Sequence, residues 1–466
     1  MTTRATGINL VILGFGSIAK ATMPLFSLTP GIFEAITVIA PDIDQKDRLT
    51  FPHLNFVDVS LLEINYREIL DSMCNEGDFL PNLSIGVATK DLITYCLSRS
   101  ILYLDTCIEP WAGVYTDSSI PVADRSNYSL REEILGLKKD SIGKSTCLIA
   151  HGANPGLVSH FLKKALSELK SGEECSADPT TPEQWASLSK SLNIKTIHIA
   201  ERDTQVSRIT KQDDEFVNTW SVDGLISEAT QPAELGWGTH EHKESSLIEY
   251  HKHGCDAAVY INQPGALTRV KTWTPLGGAC TGFLVTHNEA ISIADYLTER
   301  IDGAVSYRPT VHYAYHPCND AILSLHEYIG RGWKEQKNKR ILRDEIIDGS
   351  DALGVLLLGQ EGRSYWYGSI LSVSEARELM PFNSATSLQV AAGVYSGVIW
   401  CLENRFAGVV EPEDIDHKRI LEIALPYLGR LEMFETAWMP DNGVDELFDR
   451  SRLPTDAQWQ IENFIV

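Results

Sequence analysis

Along the first third of the chain, bare apolar runs alternate with stretches whose apolar positions fall at helical spacing. Residues 8–13 form an apolar run of the kind expected of a strand buried on both faces. Residues 17–28 fit a helix, and 35–40 reads as a second strand stopped by Pro41. Further short apolar runs lie at 83–88, 101–104 and 147–150, separated by helix-compatible stretches such as 92–98. A βαβ series of this kind predicts an α/β fold, with a mostly parallel sheet covered by helices on both faces.

The pattern changes after His151. Leu157, Phe161, Leu162, Ala165 and Leu166 fall on one side of a helix predicted over 157–169. Residues 172–182 are polar and turn-rich, and read as a surface loop. Between 195 and 273, strand-like pieces at 196–200 and 257–261 are separated by long connections containing Gly and Pro. Connections of that length in a compact domain are often functional. Helix-like stretches follow at 291–301, 387–402 and 417–427.

The 466 residues exceed what one hydrophobic core usually serves, so two or three structural units are expected. With 43% hydrophobic and 22% charged residues, the composition excludes wholesale disorder. A formal net charge of −23 argues against a nucleic-acid partner and permits a cationic ligand. Nine cysteines without a C-x-x-C pair suggest neither a disulfide framework nor a zinc knuckle, and fit a reducing cytoplasm. The run 8–13 is short and followed by Gly14, Gly16 and Lys20, so it is not read as a signal peptide. No segment approaches the roughly 20 apolar residues of a membrane span.

Three signals carry chemistry. Gly14-Phe15-Gly16-Ser17-Ile18-Ala19 follows a predicted strand and opens a predicted helix, which is the setting a dinucleotide fingerprint needs. Gly14 permits the tight turn, Gly16 lets the backbone approach a pyrophosphate, and the helix N-terminus favours negative charge. Asp42 is the nearby candidate for the ribose, and no arginine directly follows the second strand to hold a 2′-phosphate, which favours NAD over NADP. The second signal, His151-Gly152-Ala153-Asn154-Pro155-Gly156, reads either as an ordinary turn or as a ligand-binding loop at the end of a sheet strand. The third is a concentration of carboxylates beside tryptophans: Glu109 near Trp111, Glu201, Trp220, Glu228, Glu234 near Trp237, and Glu241. Carboxylates and aromatic faces hold ammonium groups, the latter by roughly 0.5–2 kcal/mol each. His240 with His242, His251 with His253, and His312 with His316 on a helix face have metal-ligand spacing. They lack a completing cysteine or an H-E-x-x-H glutamate, so no metal is expected.

Taken together, these motifs resemble the bacterial homospermidine synthases, a family in the saccharopine-dehydrogenase-like superfamily. The resemblance spans nearly the whole chain. Beyond the glycine motif and 151–156, it is carried by Asp105-Thr106 with Glu109-Pro110-Trp111, by 218–222 and 231–241, by 285–289, by 307–317, by 348–351 and by 381–386. One departure is that the family's acidic residue at the end of strand two is displaced, with Ala40 before Pro41 and Asp42 after it.

The resemblance implies that NAD takes a hydride from putrescine, a second diamine displaces ammonia, and the hydride returns to give homospermidine. Putrescine and spermidine are the implied substrates. Trp220, Glu201, Glu228 and Asn154 are the implied reaction residues. Trp220 would face the cation, Glu228 would anchor the inner amine, and Glu109 with Glu201 would handle the outer one. His287 and Asp351 would shape the pocket. The implied cofactor contacts are Gly14, Gly16, Ser17, Ile18, Asp42, Thr106, Ala153, Asn154, Pro155, Asn383, Ala385 and Thr386. The expected organisation is a Rossmann-type nucleotide domain over 1–155, a central α+β substrate and dimerisation domain over 156–380, and a helical segment over 381–466 returning to the nucleotide domain, in a homodimer. A competing reading is an NADPH-dependent reductase of the saccharopine or carboxyspermidine type, with Arg202, Arg269 or Arg308 clamping a carboxylate. Another is an NAD-binding sensor or scaffold without catalysis.

Overall fold

Leu10–Leu13, strand β1, is apolar at every position because both of its faces are covered. In the computed structural model, which describes residues 7–41, 43–170, 178–242, 247–360, 362–381, 383–440 and 458–466, β1 lies inside a parallel sheet. Its companions are β2 (Ile36–Ala40), β3 (Asn55–Asp58), β4 (Phe79–Asn82), β5 (Leu102–Asp105), β6 (Cys147–Leu148) and Val409–Val410. The order is Val409–Val410, β6, β5, β4, β1, β2, β3, so the winding reverses between β1 and β4. Open sheets of this kind bind ligands outside the carboxyl ends of the strands at such a reversal.

The fourth strand is not the expected 83–88. Phe79–Asn82 takes that place and 83–88 is the connection beyond it. Pro81 lies inside the strand, and a residue without an N–H donor hides it from pattern reading.

A second sheet of ten described strands builds the other domain. Thr196–Asp203 lies near its middle, parallel to Thr310–His316 and antiparallel to Ser350–Gln360. The stretch expected as long connections holds a helix, Val222–Thr230, whose N-cap Ser221 accepts from the Gly224 amide at 3.0 Å. His312 and His316 lie on a strand, not on a helix. His312 stacks on His198 at 4.1 Å between ring centroids.

The C-terminal part divides between the domains. Ala385–Glu403, Val409–Val410 and His417–Ala424 complete the nucleotide side. Arg430–Thr436 instead pairs with Arg363–Ser372, and Ile465 bridges Val270, so residues 381–466 are neither wholly helical nor wholly on that side. Phe464 draws the chain end there, packing on His198 at 4.9 Å. The 19-residue helix Ala385–Glu403 is apolar enough to cross a membrane, contrary to the sequence expectation. With 83% of its apolar window buried inside the fold, it is a core helix.

That helix lies directly on the turn after β6. A Cβ on Gly393 would stand 2.1 Å from the Gly152 carbonyl oxygen. Both neighbours there are backbone and have little room to yield. Gly393→Ala should therefore destabilise the protein by about 1–3 kcal/mol through overpacking. By contrast, Gly136→Ala in the helix Asn127–Lys138 meets open space and should stabilise by about 0.5–1 kcal/mol. Thermal unfolding of the two variants should move in opposite directions; an unchanged midpoint for Gly393→Ala would contradict the close packing.

Candidate active site

A cavity of about 590 Å³ lies at the sheet reversal, walled on one side by the nucleotide domain and on the other by the second domain. Gly14, at φ +85°, turns the chain beneath it, where a Cβ would meet the Leu83 carbonyl oxygen at 2.8 Å. In front of Gly16 there is open space, and the buried Ser17 Oγ has no hydrogen-bond partner. The helix Ser17–Ser27 begins there with no side-chain cap and no acid in its first turn. This cradle, with unused donors at a helix N-terminus, fits a pyrophosphate.

Ile18, Thr106, Ala153, Asn154 and Pro155 also line the cavity, as does Thr386 from the returning helix. Asn383 and Ala385 do not line it. Asn383 Oδ1 accepts from Ser387 Oγ at 3.0 Å, and the Ala385 amide donates to Gln205 Oε1 at 2.9 Å. Asp42 lies outside the described residues. Lys20 and Asp47, which line the cavity, pair at 2.7 Å, and Arg48 pairs with Asp58.

Asp105, at the end of β5, organises the turn that carries Asn154. It accepts from the Ala150 amide at 2.6 Å, from Thr89 Oγ1 at 2.9 Å and from Tyr103 Oη at 2.8 Å. Thr89 Oγ1 in turn receives the Glu109 amide at 3.1 Å. Glu109 thus stands on the shelf that Asp105 fixes. Burial raises Glu109 to about 7, and the charges of Glu228 and Asp105 add to that.

Across the cavity, Glu201 accepts from Asn154 Nδ2 at 2.9 Å and from the Tyr313 hydroxyl. Burial holds Glu201 above the usual carboxylate range, and the negative charge of Asp203 adds to this. Trp220 is partly exposed to the cavity, its Nε1 donating to the Tyr315 hydroxyl at 3.1 Å. Glu228 reaches in from Val222–Thr230, with Oε2 3.1 Å from His287 Nε2. The two form a close ion pair, and a carboxylate so paired still has lone pairs for a further donor. On its other side His287 Nδ1 meets Glu289 at 3.2 Å. Burial opposes a charge on His287, but Glu289 and Glu228 outweigh it and hold the imidazole well above its ordinary value. Asp351 lies behind this wall, fully buried, and accepts from Thr386 Oγ1.

Sequence reasoning gave no role to Tyr313, Tyr315, Asp203 or Glu289. Reading Thr310–His316 with a two-residue period would have put Tyr313 and Tyr315 on one face. The rings stack at 5.2 Å and 9°. Glu234, read from the sequence as part of a cation-holding cluster, instead joins the domains by accepting from the Asn127 amide at 2.8 Å and from Thr286 Oγ1 at 2.8 Å. Trp237, Glu241, His240 and His251 lie away from the cavity; Glu241 accepts from Thr310 Oγ1 at 2.6 Å and from the Ile461 amide at 2.9 Å.

Residues 10–148 match the family description "Saccharopine dehydrogenase NADP binding domain", and 152–435 match "Saccharopine dehydrogenase C-terminal domain". Homospermidine synthase of Blastochloris viridis is 46% identical, covering 98% of this chain and 97% of its own. That of Mesorhizobium japonicum is 45% identical, covering 98% and 96%. The crystal structure of homospermidine synthase from Legionella pneumophila in complex with NAD superposes with a TM-score of 0.90 at 42% identity over 98% of each chain. Saccharopine dehydrogenase from Saccharomyces cerevisiae shares the fold alone, with a TM-score of 0.50 at 11% identity over 92% of this chain and 100% of its own. By descent and by architecture, the chain belongs to the homospermidine synthase family.

Proposed function

We propose that the cavity joins two diamines, transferring an aminobutyl group from putrescine, or from spermidine, to a second putrescine to make homospermidine. The protein is a transferase of this family and its cofactor is NAD. When bound, NAD accepts a hydride from the carbon beside an amine and later gives it back, so no net oxidation occurs.

One observation carries the reading: three glutamates and a tryptophan converge on the cavity, and among the described residues no arginine lines it. The lining lysines are already paired, Lys20 with Asp47 and Lys339 with Asp223. The competing substrate, an amine bearing a carboxylate, would require a clamp. Arg202 is instead engaged with His316. Arg269 lies over Phe283, its centre 3.6 Å from the ring centroid, and Arg308 donates to Thr298 Oγ1 at 2.8 Å.

Glu228, ion-paired with His287 on one side, anchors the ammonium at the inner end. Glu109 receives the outer one. The Trp220 face, on the same cavity, stabilises the cation that forms when the carbon loses its hydride. Glu201 Oε2, held by Asn154 and Tyr313, takes the proton that the reacting amine must lose and returns it when the second amine has added. Asn154 orients that exchange from the nucleotide side. His287 offsets part of the negative charge beside Glu228 and fixes its direction. The enzyme works as a homodimer in the reducing cytoplasm, a setting supported by eight free cysteines among the described residues.

Putrescine with a catalytic amount of NAD⁺ and no other reductant should yield homospermidine and ammonia without accumulating NADH. Product only when NADPH is supplied would overturn the reading. Trp220→Ala should lower kcat roughly 30-fold, the loss of about 2 kcal/mol of cation–π stabilisation, with NAD affinity retained. Glu228→Gln should act chiefly through a higher KM for putrescine. Wild-type kinetics in either variant would remove that residue from its place.

A further inference from the structure

Trp220 is useful only if its ring is held at a fixed angle to the reacting carbon, and the chain fixes it at two points. The indole Nε1 donates to Tyr315 Oη at 3.1 Å. The backbone is tied one residue earlier, where Thr219 Oγ1 donates to Asp203 Oδ2 at 2.7 Å. Asp203 ends the central strand Thr196–Asp203, almost wholly buried. Its Oδ1 accepts from the Gln205 amide at 2.8 Å and from Gln205 Nε2 at 3.1 Å. Gln205 also holds the start of the returning helix, accepting the Ala385 amide at 2.9 Å and donating to Thr386 Oγ1 at 3.1 Å.

Asp203 also shares its strand face with Glu201, two residues earlier, and is the cross-strand partner of Asp351. Three acids thus lie close together with few bases near them. Asp203 takes three hydrogen bonds, whereas Asp351 takes one, from Thr386, and its Oδ1 has no partner. Burial raises both, but the three donors favour the charged form on Asp203, while Asp351 is held well above its ordinary value.

We propose that Asp203 is a positioning residue for the reaction, fixing Trp220 through Thr219 and setting the charge against which Glu201 ionises. The carboxylate touches neither substrate nor cofactor; it acts through the side chains that do. Around this trio, Tyr313, Asn154 and His287 face Glu201, while Arg202, Tyr315 and Cys318 face Asp203. Burial raises Glu201 first, and Asp203 adds to that; removing the Asp203 charge lets the Glu201–Asp351 pair ionise at lower pH.

This inference rests on the proposed reaction, so turnover of putrescine by the wild-type protein is the control. Without wild-type turnover, the reaction itself is wrong. With it, Asp203→Asn should lower kcat at least tenfold, keep NAD affinity within twofold, and move the acidic limb of the kcat–pH profile to lower pH. Thr219→Val removes the tether and leaves the carboxylate with its two Gln205 hydrogen bonds, so it should lower kcat and move that limb less than Asp203→Asn does, and Thr219→Ser should restore kcat. Should Asp203→Asn not fold, the two Thr219 variants still decide the tether. Wild-type kcat in Thr219→Val, or a reduced Asp203→Asn with an unmoved limb, would overturn the proposal.

Discussion

Carboxylates taken out of water without matching bases are the constraint on which the molecule turns. Desolvation disfavours their charge, so Glu109 is pushed up to about 7 and Glu201 and Asp351 are raised as well. In most folds such groups would be paired with arginine or lysine. Here, among the described residues, it is His287 that stands between two such acids, wedged between Glu228 and Glu289. The site is therefore incomplete until a cation enters it. A diamine supplies that cation at two points, and the charge that forms on its carbon during reaction supplies it at a third.

Such a site needs walls that do not relax. The nucleotide domain contributes the Asn154 turn, pinned from above by Gly393 of the returning helix and from below by Asp105. The second domain contributes the tyrosine pair and the Trp220 tether. Glu234 joins the two, accepting an amide of one domain and a hydroxyl of the other. The C-terminal part gives Ala385–Glu403 and Val409–Val410 to the nucleotide side and Arg430–Thr436 to the second sheet, so the chain itself ties the two walls.

Much of this was legible beforehand. The bare apolar run of β1 and the glycine motif announce a parallel sheet and its phosphate cradle, because doubly buried strands and tight turns constrain residue type. The helix Leu157–Leu169 follows from its apolar stripe alone. What escaped reading has physical causes. β4 is hidden by Pro81. Tyr313 and Tyr315 are hidden because His312 and His316 suggest a helical spacing where the chain is extended. Asn383 and Ala385 were expected at the cofactor and instead hold neighbouring side chains, a distinction made by a single turn of backbone. The anchoring acids Asp105, Asp203 and Glu234 draw their meaning from partners far along the chain, which no local pattern reports.

A diamine that enters as a dication must drive protons off the buried acids into solvent. In the free site, Glu109 is largely protonated below neutrality, and a bound dication favours its ionised form. Calorimetric titration with putrescine of the NADH-bound protein, which cannot take the hydride and so binds without turnover, counts those protons directly when repeated in buffers of different ionisation enthalpy. Net proton release at about pH 6, fading above about pH 8 where the carboxyls are already ionised, is the predicted result. Putrescine binding with no proton release at either pH would contradict it.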